Sequence, residues 1–197
     1  MRTLTRVLEG APTLTIDVIA LLHNSGLSTR DIRAYTPIVK QHSVSKEIGE
    51  KVVDAILKNT LGGNDRHGKP FVKYSEAYKK SLIFKIYKGG KRKPDLKLTG
   101  NMQADLAVIN ATDSTVTVGF TDAEESEKAK GHITGANYLP RRDFFGLKSE
   151  ELKDIMLQTI KEYEANAIFD IDEIVREAAP RMQTEDYQDI RELLYGS

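Results

Sequence analysis

The feature that most restricts the possible fold of this chain is a pair of short β-type segments between helical patterns. Residues 105–110 read DLAVIN and residues 115–120 read TVTVGF, and both are rich in β-branched and apolar residues. The residues between them, ATDS, suit a hairpin turn. In the second segment Val116, Val118 and Phe120 alternate with smaller residues, so one face should be buried and the other hydrated. We therefore predict an α+β fold in which long helices pack on a small antiparallel β-sheet.

Four helices are predicted from apolar residues at helical spacing and from their end signals. The first lies within residues 43–63, SVSKEIGEKVVDAILKNTLGG, between a serine and a glycine pair. The second runs from Ser75 to the glycine pair at 89–90, and the third, DAEESEKAK, ends at Gly131. The fourth and clearest, SEELKDIMLQTIKEY, has Ser149 as its N-cap.

Both ends of the chain are predicted to be helical extensions of one core that spans residues 44–165. In residues 1–43 we expect a helix over 14–23, followed by a shorter helix that Ser28 caps and Pro37 closes. Residues 166–197 contain two further helical patterns, DIDEIVREAA and TEDYQDIRELL, which Pro180 separates.

Composition excludes several classes of protein. The chain of 197 residues carries 29 basic and 29 acidic residues, so no global charge favours nucleic acid or an anionic membrane. It has no cysteine, which removes disulfides, thiolate catalysis and cysteine-based zinc sites and fits a reducing cytoplasm. The apolar runs are shorter than a bilayer span and the N-terminus lacks a signal-peptide core. We expect a soluble protein without membrane contact.

Sequence signatures of enzymes are mostly missing, and we predict no catalytic residue, cofactor or metal. The four histidines lie in different elements without metal-ligand spacing. Residues 64–69, NDRHGK, combine groups that a small nuclease uses, but a polar turn between helices explains them better. The acidic cluster Asp170, Asp172 and Glu173 is typical of the first turn of a helix more often than of a cation site.

A basic segment at residues 88–100, KGGKRKPDLKLTG, is predicted to be an exposed, mobile loop. It concentrates positive charge in an otherwise neutral protein, which suits phosphate contacts without sequence reading. A solvated loop with no partner is an equally good interpretation. The candidate cations for an interface or a DNA channel are Lys88, Lys91, Arg92 and Lys93.

The stretch GHITGANYLPRRDFFGL, residues 131–147, is predicted to be a rigid, anchored loop that displays arginines. Its glycines permit positive φ angles and Pro140 stiffens the approach to the last helix. Phe144 and Phe145 can anchor it to the core, while Arg141 and Arg142 can donate forked hydrogen bonds to a neighbour. The stretch contains no nucleophile paired with a base, so it indicates an interface rather than an active site.

Five segments, taken in order, resemble the virion morphogenesis proteins of tailed bacteriophages, which complete the tail or form the neck. They are GKPFVKYSEAY (68–78), LKLTGNM (96–102), VTVGF (116–120), GHITG (131–135) and LPRRDFFGL (139–147). The resemblance spans roughly residues 44–164. Phe71 stands where the family has tryptophan, and either Arg141 or Arg142 matches the motif arginine. The other matching positions are Gly68, Pro70, Gly100, His132, Gly135, Pro140, Phe144, Phe145 and Gly146.

The resemblance implies a non-catalytic structural protein of the virion, made in the bacterial host cytoplasm and located at the neck or the top of the tail. Such a protein assembles with itself into a ring of six or twelve copies and contacts neighbouring neck, connector and tail proteins. Packaged DNA passing through the ring would give the basic loop a partner. A tail terminator ring is the alternative, followed by a small DNA-binding protein or a nuclease.

Overall fold

A computed structural model of the chain describes residues 10–89, 93–97, 99–136 and 139–178, with side chains up to residue 166. Within these ranges, three strands form one antiparallel sheet in the order β1-β3-β2: β1 Thr13–Asp17, β2 Leu106–Ala111 and β3 Thr115–Phe120. The predicted hairpin is confirmed as β2 and β3, with Val108 opposite Val118. Thr112 fixes its turn, because the Oγ1 atom accepts hydrogen bonds from the backbone N–H groups of Ser114 and Thr115.

The N-terminal segment supplies an edge strand, so its prediction as a purely helical extension is wrong. Thr13–Asp17 pairs with β3, with Ile16 opposite Val116 and Thr15 opposite Thr117. Only the second half of the predicted first helix is helical, as α1 Val18–His23. The chain changes from strand to helix at Asp17. Its carboxylate accepts a hydrogen bond from the N–H of Ala20 at 2.8 Å and caps the helix. Ser28 caps α2 Thr29–Val39 as predicted, but Pro37 lies inside that helix and does not end it.

The long helix α3 His42–Leu61 packs across β2 and β3 and forms a large part of the core with them. Its inward side chains include Ile48, Val52 and Ile56, all with no measurable exposure. Gly49 lies where the helix meets the sheet. A Cβ atom at Gly49 would lie 2.4 Å from Cγ2 of Val116 and 2.9 Å from Cγ2 of Val108. The absent side chain therefore sets how closely α3 approaches the sheet.

The predicted second helix is divided into α4 Glu76–Lys80 and α5 Leu82–Lys88. Ser81 separates them with an extended ψ of 150°. Its hydroxyl donates to the carbonyl of Tyr78 at 2.7 Å and accepts from the N–H of Phe84 at 3.2 Å. One serine thus ends the first helix and caps the second, which helical spacing alone does not reveal.

The C-terminal half contains α6 Asn101–Asp105, α7 Ala123–Thr134 and α8 Ser149–Ala178. Gly131 was predicted to end α7, but the helix continues to Gly135, which has a left-handed φ of +77°. Helix α8 starts at Ser149 as a helical residue, and it continues to Ala178, through residues 170–178 of the region predicted as a separate helix. Pro180 and the pattern TEDYQDIRELL lie outside the described residues.

By its contacts the chain divides into two compact units, Met1–Thr159 and Ile160–Ser197. The first unit contains the sheet and helices α1 to α7. Within the described residues, no helix is long and apolar enough to cross a membrane.

We expect Gly49→Ala to destabilise the protein. The new methyl group overpacks the contact between α3 and the sheet, which typically costs about 1–3 kcal/mol, against a gain of roughly 1 kcal/mol in helix propensity. Chemical denaturation should therefore give a lower free energy of unfolding.

Gly131→Ala in α7 is the matched control. Its Cβ would meet only Cδ1 of Leu139, at an ordinary contact distance of 3.5 Å. Helix propensity then acts alone, and we expect a gain of roughly 0.5–1 kcal/mol. Equal gains from both substitutions would contradict the close approach at Gly49.

Candidate functional site

Three of the segments that carry the resemblance lie against one another in the structure: residues 68–78, 131–135 and 139–147. The turn just before the first of them is built around Asp65. Its Oδ1 atom accepts hydrogen bonds from the backbone N–H groups of His67 and Lys69, at 2.9 and 2.8 Å. Asn64 and Pro70 form a β-bridge across the turn, and Gly68 has a φ of +77°. The carboxylate that a nuclease interpretation needs is therefore engaged in shaping the backbone.

Arg66 joins this turn to residues 139–147. Its backbone N–H donates to the carbonyl of Asp143 at 2.9 Å, and its Nε lies 3.1 Å from Oδ2 of Asp143. The same carboxylate oxygen lies 3.5 Å from Nη2 of Arg141, whose side chain is 69% exposed. Arg141 is thus displayed to solvent beside a carboxylate, in agreement with the prediction of a displayed arginine.

Arg142 points the other way, which corrects the prediction that both arginines are displayed. The residue is only 5% exposed. Its backbone N–H donates to the carbonyl of His132 at 2.7 Å, and its Nη2 donates to the carbonyl of Val72 at 3.2 Å. Its guanidinium carbon lies 5.6 Å from the centre of the Tyr74 ring. One buried cation therefore touches all three segments.

Phe144 and Phe145 anchor the stretch, as predicted. They are 3% and 9% exposed, and the ring of Phe145 lies 5.8 Å from that of Phe120 on β3. Gly135 and Gly146 have positive φ angles of 77° and 131°, so the predicted need for glycine is confirmed at these two positions. Gly100 likewise has a φ of 100° where α6 begins.

A cavity of about 570 Å³ opens beside Arg142. Val72, Leu96, Leu139 and Pro140 form its apolar wall. Its polar lining includes Tyr74, Tyr78, Lys88, His132 and Arg142. The two tyrosines pack with Phe84, with ring centres 5.2 to 5.4 Å apart. Burial raises the pKa of Tyr78, so its hydroxyl stays protonated at neutral pH.

His132 lines the cavity and has a buried ring nitrogen that forms no hydrogen bond with the described residues. This atom is Nδ1, and Nε of Arg142 is likewise buried without a hydrogen-bond partner among the described residues. Burial, with a smaller effect from the charge of Arg142, lowers the pKa of His132 from 6.5 to about 4. The imidazole is therefore neutral at physiological pH.

Lys88 is not part of an exposed basic loop, which corrects that prediction. It is the last residue of α5, its side chain is 3% exposed, and its Nζ forms an ion pair with Asp95. The same Nζ donates to the carbonyl of Lys97. Burial lowers the pKa of Lys88, but hydrogen bonds and charge interactions with Asp95 and Tyr74 together outweigh burial and raise the pKa. Lys88 therefore holds residues 95–97 against α5.

The other candidate cations differ in where they lie. Lys93 is exposed, and its alkyl chain passes over Gly63, where an added Cβ would meet Cε at 2.6 Å. Lys91 and Arg92 lie outside the described residues.

Helix α5 exposes an apolar face that sequence reasoning missed. We call it the α5 face: Leu82, Ile83, Ile86 and Tyr87, which are 72%, 52%, 64% and 55% exposed. The opposite side of α5 is buried through Phe84 and Lys88. The signal was present in the sequence, because SLIFKIYK is apolar on more than one side of a helix.

The remaining candidates carry no site in the described residues. His67 is exposed on its turn, where its Nε2 accepts a 3.3 Å hydrogen bond from Nε of Arg66. The region with described side chains contains no group of three potential metal ligands. Asp170, Asp172 and Glu173 lie on α8 beyond those side chains. Comparisons with protein-family models, curated proteins and solved structures found no match.

The buried imidazole predicts a pH dependence of stability. Below pH 6.5 the unfolded chain binds a proton at His132 that the folded protein takes up only near pH 4. The free energy of unfolding should therefore fall as the pH drops from 6.5 to 4, by at most about 3 kcal/mol from this group. His132→Gln should remove that part of the decrease in denaturation curves measured across this range.

His67→Gln is the matched control, because His67 is an exposed histidine close to the same segments. Carboxylates also titrate in this range, but they are common to both variants and cancel in the comparison. An equal flattening of the pH profile in both variants would contradict the role of His132.

Proposed function

We propose that this chain is a structural protein of the bacteriophage virion, which forms a ring at the neck and joins or completes the tail. The order of five sequence motifs suggests the class of protein. The α5 face is the observation that carries the assembly role, because it leaves four large apolar side chains more than half exposed on one short helix. Contiguous apolar surface of this kind marks a contact with another protein.

The helix that carries the α5 face is held in place by contacts on its inner side. Phe84 packs on Tyr74 and Tyr78, and Lys88 pairs with Asp95, so the inner side of α5 is fixed. Tyr74 in turn lies under the guanidinium of Arg142. A fixed apolar face loses little conformational entropy on binding, which favours association.

The motif residues support assembly better than catalysis. Arg142, Phe144 and Phe145 are buried and link segments of the fold, and Arg141 is exposed beside Asp143. In a ring, each copy uses two different surfaces, so α5 of one copy meets another surface of the next. Exposed Arg141 is our candidate for that second surface, since forked guanidinium donors suit interfaces.

In such a ring, only part of the predicted basic loop is available to contact DNA. Lys88 is not a channel residue in this proposal, because Asp95 neutralises its charge within the chain. Lys93, with Lys91 and Arg92, remains a candidate for contact with DNA in the channel or with a neighbouring neck protein. A tail terminator ring would use the same α5 contact at a different level of the tail.

Ile86→Glu should weaken self-association at least tenfold, because it places a charge in the centre of the α5 face. The side chain is 64% exposed, so folding should be unaffected. Sedimentation velocity across a concentration series measures the association, and circular dichroism checks the fold.

Leu61→Glu is the control, since Leu61 is 46% exposed at the end of α3 and lies outside the α5 face. If the Ile86→Glu protein assembles like the wild type, α5 does not form the contact between copies.

Infection tests the virion role itself. Particles of the parent phage that lack this chain should accumulate as heads and tails that do not join, or as heads that lose DNA. Supplying the wild-type chain should restore joined particles, and supplying Ile86→Glu should not. Normal, infectious particles without the chain would overturn the proposal.

A further inference from the structure

We propose that the cavity beside Arg142 is a binding site for a carboxylate carried on an apolar or aromatic body. The proposal goes beyond a structural role and does not depend on the neck assignment. It rests on two residues that line this cavity, Arg142 and His132, each of which has a buried polar atom without a hydrogen-bond partner among the described residues.

The first observation is the charge of Arg142. Burial lowers the pKa of its guanidinium, but an arginine stays protonated in proteins. Its described polar contact is the carbonyl of Val72, a neutral acceptor, and Nε has none. A charge that is 95% removed from water and faces no carboxylate of the described residues is costly unless an anion accompanies it.

Two further cations line the cavity, and neither shares this condition, because Lys73 is exposed to solvent and Lys88 is buried but paired. Lys88 forms an ion pair with Asp95, so the pair adds no net charge to the cavity. Asp143, the nearest carboxylate in sequence to Arg142, is engaged by Arg66 and Arg141. Among the described residues, Arg142 is therefore the buried cation of the lining that has no carboxylate partner, which matches a singly charged anion.

The second observation is His132, whose buried Nδ1 is also unsatisfied. In the tautomer protonated at Nδ1, the neutral imidazole donates a hydrogen bond. Arg142 and His132 both line the cavity, so a carboxylate bound there lies beside the guanidinium and the imidazole. A charged acceptor next to these two side chains is part of the reason the ligand is assigned as a carboxylate.

The rest of the lining selects what the carboxylate is attached to. The wall is apolar at Val72, Leu96, Leu139 and Pro140, and aromatic at Tyr74 and Tyr78. A volume of about 570 Å³ lies within the usual range for small-ligand sites. Two sources fit this chemistry: a free aryl or alkyl carboxylate, and an acidic side chain that another copy of the chain inserts.

The test is a titration of the full-length, ¹⁵N-labelled protein with sodium 3-phenylpropionate, followed through the Arg142 Nε–H and His132 signals. We expect saturable binding with a Kd on the order of 1–10 mM, as suits a ligand of this size. 3-Phenylpropionamide, which has the same shape without the charge, should bind at least tenfold more weakly. Equal binding of the amide would overturn the proposal, and so would tighter binding of inorganic phosphate.

Arg142→Gln should lower the affinity for 3-phenylpropionate at least tenfold, and Arg141→Gln is the matched control that should leave it unchanged. Since Arg142 also links three segments, His132→Gln provides a second test that leaves those links in place. It should weaken binding of the carboxylate severalfold and leave binding of the amide unchanged. Wild-type affinity in a folded Arg142→Gln or in His132→Gln would contradict the site.

The two sources are separated by sedimentation at saturating 3-phenylpropionate. If a neighbouring copy supplies the carboxylate, the probe displaces it and self-association weakens. If the natural ligand is a free molecule, self-association is unchanged while the probe still binds. Failure of the neck proposal would leave the titration result intact, so the two proposals fail separately.

Discussion

The buried guanidinium of Arg142 is the contact on which the arrangement of the candidate site depends. It donates to Val72 before α4, its backbone bonds to His132 on α7, and it covers the ring of Tyr74. A buried charge tolerates few alternative positions, because every displacement loses hydrogen bonds that water cannot replace. Arg142 therefore holds three segments, 68–78, 131–135 and 139–147, in one arrangement. Helix α5 packs on this arrangement through its buried side.

The sheet and α3 provide the rigid base for this arrangement. Gly49 lets α3 lie directly on Val108 and Val116, and Phe145 reaches the same layer through Phe120. The base is apolar, whereas the surface that it carries is unusual in two ways. The α5 face is apolar but exposed, and Arg142 in the adjoining cavity has no carboxylate partner among the described residues. Both features are costly for an isolated chain, and the proposed binding partners would remove that cost.

Local patterns in the sequence predicted the elements that local interactions determine. The β2–β3 hairpin, α3 and the Ser28 cap are of this kind. β1 was missed because its partner strand lies about a hundred residues away, and strand pairing then overrides a helical pattern. The sequence also singled out residues 131–147 but not the directions of their arginines. Arg141 and Arg142 are adjacent and identical, and only the fold buries one of them. The pairing of Lys88 with Asp95 likewise depends on how residues 93–97 return to α5.

Symmetry-resolved cryo-electron microscopy of the head–tail junction in purified virions tests the central claim most directly. The account predicts a closed ring whose density fits α3, the β2–β3 hairpin and the cavity beside Arg142, with the α5 face covered by the adjacent copy. A junction that other chains fill completely would contradict the assignment to the neck. A ring of this chain with α5 open to solvent would contradict the proposed contact.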